Sequence, residues 1–226
     1  MKLSSETIEV LKNFSTINQN LVIKAGSDIS TMSAMKNIVA KATVKENFPK
    51  EFAIYDLNEF LALLSLYDSP DLDFQEKRVI MTENGRRSQY WYADATIVTT
   101  PKKEISMPSN EVEFSLTDKT LADIQRGASI IGAPDMSLEN GTLKATNKKN
   151  DEANDYEIPV DIKPTDATYQ FWFKVDNLKL MPGAYDVTCS AKNISHFKNV
   201  KMAIEYYIAL EPASTYTPLE VAMNAW

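Results

Sequence analysis

Few residues in this 226-residue chain are of types that do covalent or redox chemistry. There is one cysteine, Cys189, and one histidine, His196. With one of each, no disulfide framework can form, and the nitrogen and sulfur ligands that a zinc or iron–sulfur site needs are too few. His196 stands alone between Ser195 and Phe197, near an expected connection between strands, and reads as a surface or capping residue rather than a general base. Cys189, in the strand-like stretch Tyr185 to Ser190, reads as a small buried hydrophobe. The pair Asp71-Leu72-Asp73 is expected in a loop, with no histidine, cysteine or glycine-rich partner beside it. The patterns G-x-x-x-x-G-K-[ST], H-E-x-x-H and G-x-S-x-G are absent, and six glycines leave little from which to build a phosphate cradle. No catalytic residue, metal or cofactor is therefore expected.

What remains is the chemistry of charge. A formal net charge of −7 argues against a polyphosphate partner for the chain as a whole, because such binding rests on Lys and Arg displacing counterions. Positions 1–108 hold 13 basic and 14 acidic side chains, which leaves 11 and 17 of the totals of 24 and 31 for positions 109–226. Neither half is basic, so contact with a nucleic acid has to come from a local patch. A hydrophobic content of 44% suffices for one large core or two of about 110 residues each. No run of some 18 apolar residues occurs, and Lys2, Glu6 and Glu9 interrupt the start, so neither a membrane span nor a secretory segment is expected and the protein reads as soluble and intracellular.

The elements that must position any such patch follow from periodicity. Ser4 or Ser5 caps an amphipathic helix running to about Ile17, with Ile8, Val10, Leu11 and Phe14 on its apolar stripe. Strands are expected at Leu21 to Lys24, Ile38 to Val44 and Phe52 to Tyr55. Asp56 with Glu59 three residues on resembles a capping box, and Leu57, Phe60, Leu61 and Leu64 fall at i, i+3, i+4 and i+7 of a second helix. Val79 to Thr82 and Ser88 to Tyr92 flank Asn84-Gly85, a hairpin turn pair. Thr99 to Ser109, with Pro101, Pro108 and Lys102-Lys103, reads as an extended connector and places a domain boundary after 108. Beyond it the order recurs. Thr117 caps a helix bearing Leu121, Ile124 and Ala128, and strands at Met136 to Leu138 and Leu143 to Thr146 flank Asn140-Gly141. Strands are expected again at Tyr156 to Ile162 and Tyr169 to Val175, followed by a short fourth helix, Asp176 to Met181, stopped by Pro182-Gly183. Tyr185 to Ser190 and Ala203 to Leu210 read as the last strands. The repeat is one of element order and points to a tandem duplication.

Several blocks resemble the sliding clamps of T-even-like bacteriophages. Met1-Lys2-Leu3-Ser4 with Leu11-Lys12-Asn13-Phe14-Ser15-Thr16-Ile17-Asn18 is similar to the family's opening helix. Ala53 to Leu66 is similar to its internal block, and Met181-Pro182-Gly183-Ala184-Tyr185 and Tyr206-Tyr207-Ile208-Ala209-Leu210-Glu211 match in order and spacing. The resemblance implies an α+β fold of two tandem DNA-clamp domains, 1–108 and 109–226, with helices inside and antiparallel sheets outside, and a head-to-tail homotrimeric ring lined by four helices per chain. It implies no enzymatic activity. The implied function is to encircle duplex DNA without sequence preference and tether the replicative DNA polymerase as its processivity factor. A clamp-loader ATPase would load the ring, which could also serve late viral transcription, in the cytoplasm of the infected bacterial host.

Within that frame the candidate DNA-binding residues are Lys2, Lys12, Lys119, Arg126 and Lys179. The first two lie in the block similar to the first helix, Lys119 and Arg126 lie away from Leu121 and Ile124 on the third, and Lys179 lies on the fourth. Glu6, Glu9 and Asp123 share these faces and dilute the attraction. Ring closure is expected to pair a strand near Tyr90 to Thr96 with Tyr156 to Ile162 of the next subunit, and the connector Thr99 to Met107 is a candidate neighbour of a pocket for partner peptides. The C-terminus, from Ser214 to Trp226, is longer than the resemblance leads one to expect; it reads as a frayed tail whose apolar end is a candidate to dock in that pocket. The competing reading is a non-enzymatic virion structural or interaction protein.

Overall fold

The computed structural model describes residues 1–101 and 103–219. The chain folds into two compact units, the first made of Met1–Glu104 with Lys179–Met181 and Ala203–Tyr206, the second of Ile105–Leu178, Pro182–Met202 and the chain from Tyr207 onward.

The first unit opens with helix α1, Ser5–Ile17, capped by Ser4, whose hydroxyl accepts from the Thr7 N–H. Thr7, Val10, Leu11, Phe14 and Ile17 are buried along one stripe, and Glu6, Glu9, Lys12 and Thr16 are exposed on the other. Each fully buried apolar side chain contributes about 1.5–3 kcal/mol, which is what fixes the helix's roll on its sheet. Strands β1 (Leu21–Ile23), β2 (Gly26–Met32), β3 (Ile38–Phe48) and β4 (Phe52–Ile54) follow, in the antiparallel order β3-β2-β1-β4. Helix α2, Leu57–Leu64, buries Leu57, Phe60 and Leu64 and is capped by Asp56, whose carboxylate accepts from the N–H groups of Asn58 and Glu59. The capping box is only half formed: the Asp56 N–H donates to the Tyr90 hydroxyl at 3.1 Å.

Strands β5 (Asp71–Phe74), β6 (Arg78–Glu83) and β7 (Arg86–Trp91) complete the unit as a second antiparallel sheet in that order. Asn84 and Gly85 take φ of +49° and +77° at the β6–β7 turn, the conformation that Asn-Gly suits. The acid pair expected in a loop is a strand, because Leu72 turns inward opposite Met81 while Asp71 and Asp73 turn to solvent. Met1 lies along β5, donating from its ammonium group to the Leu72 carbonyl at 2.9 Å and accepting from the Leu72 N–H at 2.7 Å. One edge of this sheet is thus covered, and β7 forms the other.

The second unit contains β8 (Val112–Leu116), α3 (Asp118–Ile131), β9 (Asp135–Glu139), β10 (Thr142–Thr146), β11 (Tyr156–Pro159), β12 (Asp161–Ile162), β13 (Thr168–Lys174), β14 (Tyr185–Ser190), β15 (Ile194–Asn199), β16 (Ile204–Ala209, whose first residues belong to the first unit) and β17 (Thr215–Thr217). One sheet runs β11-β10-β9-β13-β17, the other β12-β8-β14-β15-β16. Thr117 caps α3 by accepting from the Thr120 N–H, and the helix ends at Gly132 with φ +62°, a left-handed turn that side chains with a Cβ resist.

Four expectations are corrected in this unit. The strand foreseen at Tyr156–Ile162 is two strands in two sheets, parted at Val160, whose N–H bonds the Gly141 carbonyl. The fourth helix is absent: a single 3₁₀ turn spans Val175–Asn177 without a side-chain cap. Leu178 and Leu180 are buried alternately with half-exposed Lys179 and Met181, which is the period of an extended chain, and Pro182 disfavours helix just before it. The described residues therefore hold three α-helices. His196 is in strand β15, opposite Thr188, with its ring stacked on Tyr207 at 4.5 Å between centroids. The tail is not frayed at its start, since Thr215–Thr217 pairs with β13, Tyr216 stacks on Phe171 and Ser214 accepts from the Trp172 N–H. Residues 220–226, which carry its apolar end, lie outside the described residues. Cys189 is buried to zero exposure, and desolvation pushes its thiol far up.

Candidate nucleic-acid interface

The exposed ridge of α3 is formed by Lys119, Ala122, Arg126, Ser129 and Ile130. Lys119 and Arg126 are seven residues apart, two turns, so they lie about 10 Å apart along one face. Lys119 is the second residue of the helix, where the partial positive charge of the N-terminus disfavours a cation. Its ammonium group pairs with Asp123 at 2.5 Å across one turn, while Arg126 has no ion pair among the described residues.

On α1 the exposed ridge is Glu6, Glu9, Lys12 and Thr16. Lys12 pairs with Glu9 at 2.7 Å, and both side chains are more than half exposed. Glu6 pairs at 2.7 Å with Lys45, which points outward from β3 beside the helix; the hydrogen bond holds this lysine above its usual range. Lys45 is a cation that sequence reasoning missed, although its place between buried Val44 and Glu46 in an alternating strand marks it as outward-facing. Lys2 is exposed just before the Ser4 cap.

Lys179 differs from the others. It is half-buried, its ammonium group donates to the Thr16 carbonyl, and its own carbonyl accepts from the Asn13 side chain at 2.9 Å. A lysine on the last carbonyls of a helix satisfies an orphan acceptor and complements the helix dipole, so this residue caps α1. In the second unit Gln125 of α3 makes a comparable bond to the Leu178 carbonyl at 3.1 Å. The exposed face of α2 offers Asn58, Glu59 and Ala62 and no cation.

The N-terminus of α1 is fixed by a buried carboxylate. Glu46 of β3 accepts from the Ser4 N–H and the Thr7 hydroxyl. Burial works against its charge, but these hydrogen bonds outweigh the desolvation and hold the carboxyl below its ordinary value of 4.5. Past the end of β7, an open cleft of about 460 Å³ is lined by Phe52, Trp91 and Tyr92 and by the charged residues Glu51, Glu76, Lys77 and Asp94. Burial pushes the Tyr92 hydroxyl up to about 12. None of the described connector residues from Thr99 to Met107 lines this cleft. Among the described residues no cluster of His, Cys, Asp and Glu is arranged to hold a metal, and no helix is long and apolar enough to cross a membrane.

The chain as a whole is similar to known proteins. A family described as DNA polymerase processivity factor matches residues 4–99, and one described as the C-terminal part of the gp45 sliding clamp matches residues 115–212. The sliding clamp of Vibrio phage KVP40 is 37% identical over 221 residues, covering 93% of this chain and 99% of its own length. That of Enterobacteria phage T4 is 31% identical over 229 residues, covering 96% and 99%. In fold, the chain is similar to the proliferating cell nuclear antigen of Entamoeba histolytica, with a TM-score of 0.68 at 15% identity over 93% of this chain and 97% of that one. It is also similar to the β subunit of DNA polymerase III from Pseudomonas aeruginosa, with a TM-score of 0.66 at 11% identity over 91% and 63%. The chain belongs to the bacteriophage sliding clamps, the non-enzymatic processivity factors of DNA polymerases, and has the two-domain clamp fold.

Proposed function

We propose that three copies of this chain, each made of a domain 1–108 and a domain 109–226, join head to tail in a ring that encircles duplex DNA and tethers the replicative polymerase. The observation that carries the ring is the presence of two open strand edges in different units. Strand β7 ends the sheet β5-β6-β7, and β11 ends the sheet of the second unit. An open edge presents unpaired N–H and C=O groups that another chain can complete, and proteins cover such edges unless they are used. Trp91, 56% exposed at the end of β7, and Tyr156, 37% exposed at the start of β11, are large apolar groups where a neighbour would cover them. The strand pairing foreseen from the sequence narrows accordingly, to Arg86–Trp91 of one subunit with Tyr156–Pro159 of the next, because Ala95–Ile97 is a 3₁₀ turn and Asp161–Ile162 already pairs with β8.

A tether of this kind holds DNA without reading it, so its contacts go to phosphates and are individually weak. Lys12, Lys119 and Arg126, on exposed ridges of α1 and α3, suit that role, with Lys2 beside α1 and Lys179 engaged in capping. The outer surface of three chains of net charge −7 repels DNA, which leaves the hole as the favourable path. A clamp-loader ATPase opens and places the ring, and the same ring serves late viral transcription in the cytoplasm of the infected host. Similarity to phage sliding clamps supports this choice of partners.

The test is the solution mass by light scattering across protein concentration. The expected mass is three times 25.4 kDa, with Trp91→Ala shifting the assembly toward monomer. A strict monomer at tens of micromolar would remove the ring, and a trimer indifferent to Trp91→Ala would move its interface elsewhere.

A further inference from the structure

We infer that Glu9 and Asp123 act as tethered counterions, occupying Lys12 and Lys119 when phosphate is absent and so keeping the grip on DNA weak and quickly exchanged. The inference rests on the proposed reading that the exposed ridges of α1 and α3 face DNA. Lys12 lies 2.7 Å from Glu9 and Lys119 lies 2.5 Å from Asp123, each pair within one helical turn. Glu6, the other exposed acid of α1's ridge, is held at 2.7 Å by Lys45. Counted with Lys45, the exposed face of α1 has as many acids as bases, and so does α3 with Asp118, Lys119, Asp123 and Arg126. The acids do not simply dilute the attraction of the ridge; two of them sit on the cations expected to provide it.

Two consequences follow from elementary electrostatics. Exposed lysine–carboxylate pairs are nearly neutral in free energy, so a lysine exchanges its carboxylate for a phosphate at little cost in either direction. A lysine that meets a phosphate with its carboxylate still alongside brings no net charge, so it displaces less than one counterion from the DNA. The affinity of such a ridge is therefore lower, and less dependent on salt, than its number of cations suggests. Arg126, with no ion pair among the described residues, remains as a standing contact, and side-chain rotation alone transfers each lysine from one phosphate to the next.

The experiment measures binding of a short linear duplex by fluorescence anisotropy across a salt series, with the mass of each variant checked by light scattering. Glu9→Gln with Asp123→Asn is expected to tighten binding roughly 1.5- to 5-fold for each pair removed. It is also expected to steepen the log–log salt slope by up to about 0.9 for each phosphate contact so freed. Lys12→Gln with Lys119→Gln is expected to weaken binding. Asp151→Asn with Glu152→Gln, loop acids outside the ion pairs described above, removes the same charge elsewhere and serves as the reference. If the lysine variants bind as the unsubstituted chain does, the reading of the ridges fails and takes the inference with it. If they weaken binding but the Glu9 and Asp123 variants match the loop reference, the ridges stand and the tethered counterions do not.

Discussion

Gly127 is buried in the middle of α3, where glycine ordinarily costs a helix about 1 kcal/mol relative to alanine. A Cβ placed there would lie 2.3 Å from Cδ1, 2.7 Å from Cγ and 2.9 Å from Cε1 of Tyr156. These atoms belong to the body of the ring, so accommodating a methyl group moves the whole ring by about 1 Å or more, and with it the first residue of β11. Gly127→Ala therefore sets a gain of about 1 kcal/mol in helix propensity against an overpacking cost of about 1–3 kcal/mol. The expected net effect runs from neutral to about 2 kcal/mol destabilising. In a Tyr156→Ala background the obstacle is gone, and the same substitution should stabilise by about 1 kcal/mol. The cycle of four proteins, unfolded in urea at one fixed protein concentration, isolates a coupling of about 1–3 kcal/mol between two residues in direct contact. For a chain of this size each kcal/mol corresponds to about 2–4 °C in melting temperature, so thermal scans resolve the sign reversal. If Gly127→Ala stabilised both backgrounds equally, the seating of Tyr156 on α3 would be refuted.

Two further perturbations probe the ends of the chain. Glu46→Gln should destabilise the fold by about 1–2 kcal/mol at neutral pH, because a charged acceptor for the Ser4 N–H and Thr7 hydroxyl becomes a neutral one. Since the folded-state carboxyl sits below the ordinary value of 4.5, its stabilising effect is complete above that pH and is lost as pH falls through the depressed value, so the gap between the two proteins should close progressively as pH is lowered below 4.5 in urea titrations. Truncation after Leu219 keeps β17, whereas truncation after Ser214 removes it, opens the β13 edge and uncovers Phe171, with an expected loss of about 1–3 kcal/mol. The shorter truncation also examines tail docking: unchanged polymerase affinity would dismiss residues 220–226 as a competitor for the partner pocket.

Elements whose side chains alternate or recur cleanly were legible in the sequence. Both hydroxyl caps, Ser4 and Thr117, and the Asp56 cap stand where propensity puts them, and both Asn-Gly pairs form left-handed turns. Strand β2 was not legible, because Gly-Ser-Asp-Ile-Ser-Thr-Met offers little apolar alternation and is held by pairing with β3 instead. Strand β15 escaped for a similar reason, its inward positions including Ser195, whose hydroxyl is satisfied by the Ile208 carbonyl. The fourth helix was misread because Leu178, Leu180 and Met181 suit helical spacing on paper, while burial of residues two apart fits an extended chain. For the candidate interface, residue type and face identified Lys12, Lys119 and Arg126 as exposed. The partners that qualify each cation were beyond reach: Lys45 comes from a strand, and Lys179 is spent on a helix end 163 residues away in sequence.

The burial of Cys189 bears on how such a ring could be watched at work. A thiol with no exposure and a strongly raised ionisation point stays in its unreactive form at neutral pH, so maleimide and iodoacetamide reagents should pass over it in the folded protein. Any single cysteine introduced on an exposed position of β7 or β11 would then be the one accessible thiol for a maleimide dye. Donor and acceptor labels could be attached to the unaltered core and followed as subunits meet and part.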